Sequence, residues 1–96
     1  MTRRKGGAKQ GVVENYDRIL SGTFAIIYTR AVSAARLGAF QTLIQADPDN
    51  TNSVFVGGAA QQPIELPKGE SITIPTDPSL IYVTGNGERV NWIAVR

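Results

Sequence analysis

The chain has no cysteine and no histidine. Without thiols it has no disulfide staple and no thiolate nucleophile. Without imidazole it has neither a Cys/His zinc site nor a Ser-His-Asp arrangement. Carboxylate chemistry remains, and Glu65 with Glu70, or Asp77 with Glu88, has the residue types of a glycosidase pair. Acids spread over the loops of a small β-domain read as solvated surface, so no catalytic residue and no enzyme is expected. Long apolar runs are missing too. None approaches the roughly 18 residues of a membrane-crossing helix, so no membrane partner is expected. The N-terminus is basic and glycine-rich with no apolar stretch behind it, which argues against a secretory leader.

Ninety-six residues are enough for one core and too few for two. A chain of this size buries only about two-thirds of the surface it exposes when unfolded. Disulfides or a metal ion often stabilise such small domains. With those excluded by composition, assembly with other chains is the remaining route.

The charge is unevenly placed. Arg3, Arg4, Lys5 and Lys9 give the first ten residues +4, and the six basic and eight acidic side chains that follow leave −2. The body therefore has no broad basic face of the kind that binds a duplex. The arm alone has phosphate-binding character, and its hold would weaken steeply with salt. It suits an acidic protein surface equally well, or a role in solubility alone.

Residues 1–11 contain nothing able to offset roughly 1–2 kcal/mol of backbone entropy per residue, and they read as an arm. From Val12 to Leu20 two conformations fit. Val12, Val13, Tyr16, Ile19 and Leu20 recur at helical spacing, with Glu14 four residues before Arg18 and a stop at Ser21-Gly22. An extended arm competes with this short helix. The boundary is placed at residue 22, with 1–22 as arm and 23–96 as β-domain.

After Thr23 the period is two. Phe24, Ile26 and Tyr28 alternate with Ala25, Ile27 and Thr29, which predicts one strand. Further strands are expected over 40–46, 54–56, 64–66, 71–74, 80–84 and 89–95. Phe40, Thr42, Ile44 and Ala46 would share one face of the second, with Leu43 on the other. Gly85-Asn86-Gly87-Glu88 carries the residue types of a hairpin turn between the last two strands. About seven short strands with frequent turns predict an all-β fold, a small antiparallel sandwich or barrel. Tyr82 beside Ile81 and Val83, and Ile93 and Val95 beside Val90 and Trp92, make strands apolar on both faces. Such a surplus face calls for a partner.

Other clusters carry less. Asp47, Asp49 and Asn50 resemble a place for a hard cation, but the glycine and bidentate glutamate of a calcium loop are absent, and a structural turn is the expected reading. No metal and no cofactor is expected. Gly57-Gly58 and Gly85-Asn86-Gly87 lack the following lysine and helix of a phosphate loop. Trp92 and Tyr82 have the chemistry to stack on a sugar or base, though alternating strand positions favour core or interface. Phe40, Phe55 and Trp92 with the arm would make a single-strand-binding platform. The net negative charge of the body argues against nucleic acid.

Residues 39–94 carry an ordered set of short motifs. They run Leu43-Ile44-Gln45-Ala46-Asp47-Pro48, Asn50-Thr51 and Val54-Phe55-Val56-Gly57-Gly58, then Ile64-Glu65-Leu66-Pro67-Lys68-Gly69-Glu70-Ser71-Ile72. Ile81-Tyr82-Val83-Thr84-Gly85 and Val90-Asn91-Trp92-Ile93-Ala94 complete the set. Their order resembles a family of small β-sandwich structural proteins of tailed bacteriophages, of the capsid decoration or head fibre type. The resemblance covers over half of the chain and leaves out residues 1–22. It implies a virion component assembled in the host cytoplasm, and it transfers no catalytic residue.

Together these readings predict a capsid decoration protein that binds the major capsid protein, or another virion protein, and assembles as a homotrimer. Arg3, Arg4, Lys5, Val13, Tyr16 and Leu20 are the expected partner contacts of the arm. Phe55, Tyr82 and Ile93 are the expected contacts between subunits. A head fibre, spike or tail component that presents its β-domain to a host-surface glycan is the alternative.

Overall fold

The computed structural model describes residues 18–96. The expected arm contacts Arg3, Arg4, Lys5, Val13 and Tyr16 lie outside the described residues. Eight strands follow in order: β1 (Ile19–Ala25), β2 (Thr29–Ala31), β3 (Gln41–Ala46), β4 (Val54–Gly57), β5 (Ile64–Leu66), β6 (Ser71–Ile74), β7 (Tyr82–Thr84) and β8 (Arg89–Val95). One 3-10 turn, Pro78–Leu80, precedes β7. The first sheet has the order β1-β8-β3-β6 and the second β2-β7-β4-β5, every pairing antiparallel. This is the sandwich that the period-two alternation predicts.

The core lies between the sheets. Ile44, Ala46 and Val90 enter from the first sheet, and Val54, Val56, Leu66 and Val83 from the second. Ile26, Val32 and Ile81 fill it from the connections, and Phe24, Ile72, Ile74 and Trp92 close its margins. Burying a Val, Leu or Ile side chain contributes roughly 1.5–3 kcal/mol, so this cluster is the main source of stability.

Three local expectations change. The run after Thr23 is two strands, because β1 ends at Ala25 and the chain crosses to the other sheet before β2. Ile26 stays buried at the crossing, where its N–H donates to the Glu88 carbonyl at 2.7 Å and its carbonyl accepts from Gly87 at 2.8 Å. Tyr28 then turns the chain at a left-handed φ of 61°, and its N–H donates to Asn86 Oδ1 at 3.0 Å. Alternation persists in the sequence because the crossing residue is itself a core residue.

The second change is at the arm boundary. Ile19 and Leu20 do not end a helix, and Ser21-Gly22 does not stop one, since all four lie inside β1. A Cβ on Gly22 would stand 2.7 Å from the Trp92 Nε1 atom, so the glycine makes room for an indole on the neighbouring strand. The β-domain thus includes Ile19, four residues before its expected start at Thr23.

The third change is at the glycine-rich loop. Gly85 and Gly87 take positive φ, 141° and 88°, as a tight turn requires. Yet β7 pairs with β2 and β4 whereas β8 pairs with β1 and β3, so the loop passes between sheets and forms no hairpin. Glu88 is buried and accepts from the Thr51 N–H at 2.9 Å and from Asn52 Nδ2 at 3.3 Å. Those bonds tie the loop to the β3–β4 connection.

Candidate functional site

The outward face of the first sheet is built by alternation. In β8 Val90 and Ala94 are buried, which turns Arg89, Asn91, Ile93 and Val95 outward. In β3 Thr42, Ile44 and Ala46 point in, and Gln41, Leu43 and Gln45 point out. Leu43 stands opposite Ile93, so two apolar side chains meet at the middle of the face. They are 36% and 41% exposed.

The two ends of this face differ. At one end the side chains bond to each other: Asn91 Nδ2 donates to Gln45 Oε1 at 3.0 Å and to Asp47 Oδ2 at 3.2 Å, and Thr23 Oγ1 donates to Asn91 Oδ1 at 2.9 Å. The Asp49 amide, the Asn91 side chain and the Arg89 charge hold the Asp47 carboxyl below its usual range against a small desolvation cost. At the other end Ile19, Phe40 and Val95 form an apolar groove of about 240 Å³ with Arg18 and Arg96 on its rim. Ile19 is 43% and Phe40 62% exposed. This is the end at which the chain enters β1.

Phe40 is held there by a buried carboxylate. Asp77 accepts from the Ala39 N–H at 2.7 Å, the Leu37 N–H at 3.1 Å, the Ser79 N–H at 3.1 Å and the Ser79 hydroxyl at 2.6 Å. Burial raises its pKa, but the Ser79 hydroxyl and the amides of Ala39, Ser79 and Leu37 outweigh that, leaving the carboxyl well below the ordinary range. Asp77 is thus a structural clamp on residues 37–39, and it fixes where the next residue, Phe40, projects.

The Asp47-Pro48-Asp49-Asn50 segment is a structural turn. The Asp49 N–H donates to Asp47 Oδ1 at 2.8 Å and the Asn50 N–H to the Asp47 carbonyl at 3.0 Å. Asn50 then exchanges two bonds with the Arg89 backbone, donating to its carbonyl at 2.9 Å and accepting from its N–H at 2.8 Å. Among the described residues no group of three or more acidic, histidine or cysteine side chains converges on one point.

The expected contact residues scatter. Leu20 sits in β1 opposite buried Ala94, so it shares the inward side and does not belong to an arm surface. Phe55 and Tyr82 are outward on the second sheet, where their partners are Thr84 and Gly57. Ile93 is outward on the first sheet, so these three do not make one patch. Only a β7–β8 hairpin would have put Tyr82 and Ile93 in the same sheet. Phe40, Phe55 and Trp92 share no face either, since Trp92 packs against the core. The apolar residues that do cluster are Ile19, Leu43 and Phe40 with Ile93. They include two, Ile19 and Leu43, to which the sequence assigns no contact role, and one, Phe40, that it places only in a nucleic-acid platform. Leu43 was recognisable as the residue off the core face of β3. Phe40 was misplaced because the alternation of β3 extends back to it, although the strand begins at Gln41.

No protein-family model and no curated protein matches the chain. Among solved structures, the crystal structure of protein NMB1881 from Neisseria meningitidis is similar, with a TM-score of 0.56 at 13% identity, covering 96% of this chain and 99% of that one. The likeness is one of fold.

Proposed function

We propose that the protein is a virion structural protein, a capsid decoration protein that docks on the outer surface of a phage head through the outward face of its first sheet and its basic N-terminal arm. The carrying observation is the apolar half of that face, with Leu43 and Ile93 paired at its centre and Ile19 and Phe40 at the end where the arm joins. The ordered phage-like motifs and the cationic start of the chain agree with this reading. The mechanism is additive area. Each copy makes modest contacts, and many copies across capsomer junctions favour the closed shell because they bind that state alone. Docking by this face does not depend on whether copies join in threes, as the sequence suggests, or in another number.

The test pairs two variants with purified heads that lack the protein. Leu43→Glu with Ile93→Glu should abolish co-sedimentation with the chain still folded. Deletion of residues 1–17, which spares β1, should weaken it and remove its salt dependence. Undiminished co-sedimentation of the double variant overturns the assignment of this face.

A head fibre, spike or tail component that meets a host glycan is the second reading. It draws on a groove of about 260 Å³ where Gln45, Ser71 and Asn91 lie beside Leu43 and Ile93. A free-glycan binding screen with the Asn91→Ala variant as control decides it.

A further inference from the structure

The first sheet ends in an unguarded strand. β1 is an edge in the order β1-β8-β3-β6, and among the described residues nothing pairs with its far side. It is seven residues long, contains no proline and no charged residue, and pairs with β8 through seven successive residues without a bulge. The other edges are blunted. β2 and β5 have three residues each, Pro63 and Pro67 flank β5, and Pro75 ends β6. Natural sheets avoid a long, bare edge because its free N–H and C=O groups recruit another strand.

We propose that this edge pairs antiparallel with the β1 edge of a second copy of this chain, about a two-fold axis through Gly22. The sequence Ile-Leu-Ser-Gly-Thr-Phe-Ala is complementary to itself in that register. Ile19 faces Ala25, Leu20 faces Phe24, Ser21 faces Thr23 and the two Gly22 backbones meet. Leu20 and Phe24, both half-buried in one copy, then cover each other on the core side. A slip of one residue would turn the core side of one copy outward. A slip of two would shorten the overlap and set Leu20 or Phe24 opposite glycine.

A second observation points the same way. In the antiparallel pair, the Arg18 end of β1 in one copy lies beside the residues that follow Ala25 in the other. There stand Ile27 and Tyr28, 71% and 75% exposed, the most exposed large apolar side chains among the described residues. The axis is perpendicular to the sheet, so the result is one continuous eight-stranded sheet with both Leu43–Ile93 faces on the same side. Two docking faces on one rigid sheet gain from effective concentration. Such a pair is two-fold, in place of the three-fold assembly expected from the sequence. It stands independently of the phage reading.

Sedimentation velocity on the full chain over a wide concentration range tests the pairing without any virus particle. Wild type should show a concentration-dependent dimer, since a seven-residue edge alone is small beside the roughly 1,200–2,000 Å² of a stable interface. Ser21→Lys with Thr23→Lys should be monomeric, and so should Ser21→Glu with Thr23→Glu, because each sets like charges face to face. An equimolar mixture of the two should recover the dimer. Circular dichroism and urea curves of each variant verify the fold. A wild type that stays monomeric, one that sediments as a trimer, or a lysine variant that still dimerises overturns the proposal.

Discussion

Replacing Asp77 by alanine removes the carboxylate that gathers the Leu37, Ala39 and Ser79 amides and the Ser79 hydroxyl. Ala39 is buried, so its N–H is left without water or protein as acceptor. Leu37 and Ser79 are partly exposed and recover some hydration. An orphaned buried donor costs about 1–3 kcal/mol, which puts the whole loss at about 2–4 kcal/mol. For a domain of this size that lowers Tm by roughly 10–25 °C. Urea unfolding followed by Trp92 fluorescence, the chain's single tryptophan, reads it directly. Asp77→Asn keeps one acceptor oxygen and turns an NH₂ towards the remaining donors, so it should fall between wild type and alanine. The sign of the pH effect follows from the lowered folded-state pKa. The carboxylate's contribution is complete above its unfolded value of about 4 and fades as the pH falls below that. The gap between wild type and Asp77→Ala should therefore narrow in acid. An alanine variant within about 0.5 kcal/mol of wild type, or a gap unchanged from neutral pH to pH 2, refutes the clamp.

Further outcomes follow from the same packing. Gly22→Val would force the Trp92 indole to move, at a cost of about 1–3 kcal/mol, seen as a lower urea midpoint and an altered emission maximum. Asn50→Ala breaks both bonds to the Arg89 backbone and should cost about 1–3 kcal/mol in the same assay. Leu43→Glu with Ile93→Glu sets two like charges opposite each other across β3 and β8 and loses a half-exposed apolar pair. It should cost about 1–2 kcal/mol yet leave the chain folded, and the urea curve separates that cost from any loss of docking.

The strands were legible because their alternation is a local property. Thr42, Ile44 and Ala46 against Leu43, and Val54 and Val56 against Phe55, show in the sequence which side faces the core. The sheet to which each strand belongs was not legible. Ile26 keeps the alternation going across a change of sheet, and Gly85-Asn86-Gly87-Glu88 has hairpin composition while a buried glutamate redirects it. Gly22 reads as a helix stop until the Trp92 ring opposite it is known, and that contact spans 70 residues. The candidate site depends on the same long-range facts. Leu43 and Ile93 become neighbours only through the β3–β8 register, and Phe40 takes its place through a carboxylate 37 residues further on. Glycine-rich turns encode a change of direction without saying which strand receives the chain.

The proposed decoration role requires this domain to complete itself on other protein by the Leu43–Ile93 face. Quantitative mass spectrometry of purified particles, from cells making wild type or the Leu43→Glu, Ile93→Glu double variant, counts the copies that reach the shell. A decoration protein should be present at on the order of hundreds of copies per particle as wild type and almost absent as the variant, as mass action on a shell-wide site requires. Equal amounts of the two chains on the particles, or a handful of wild-type copies or fewer, would overturn the decoration role.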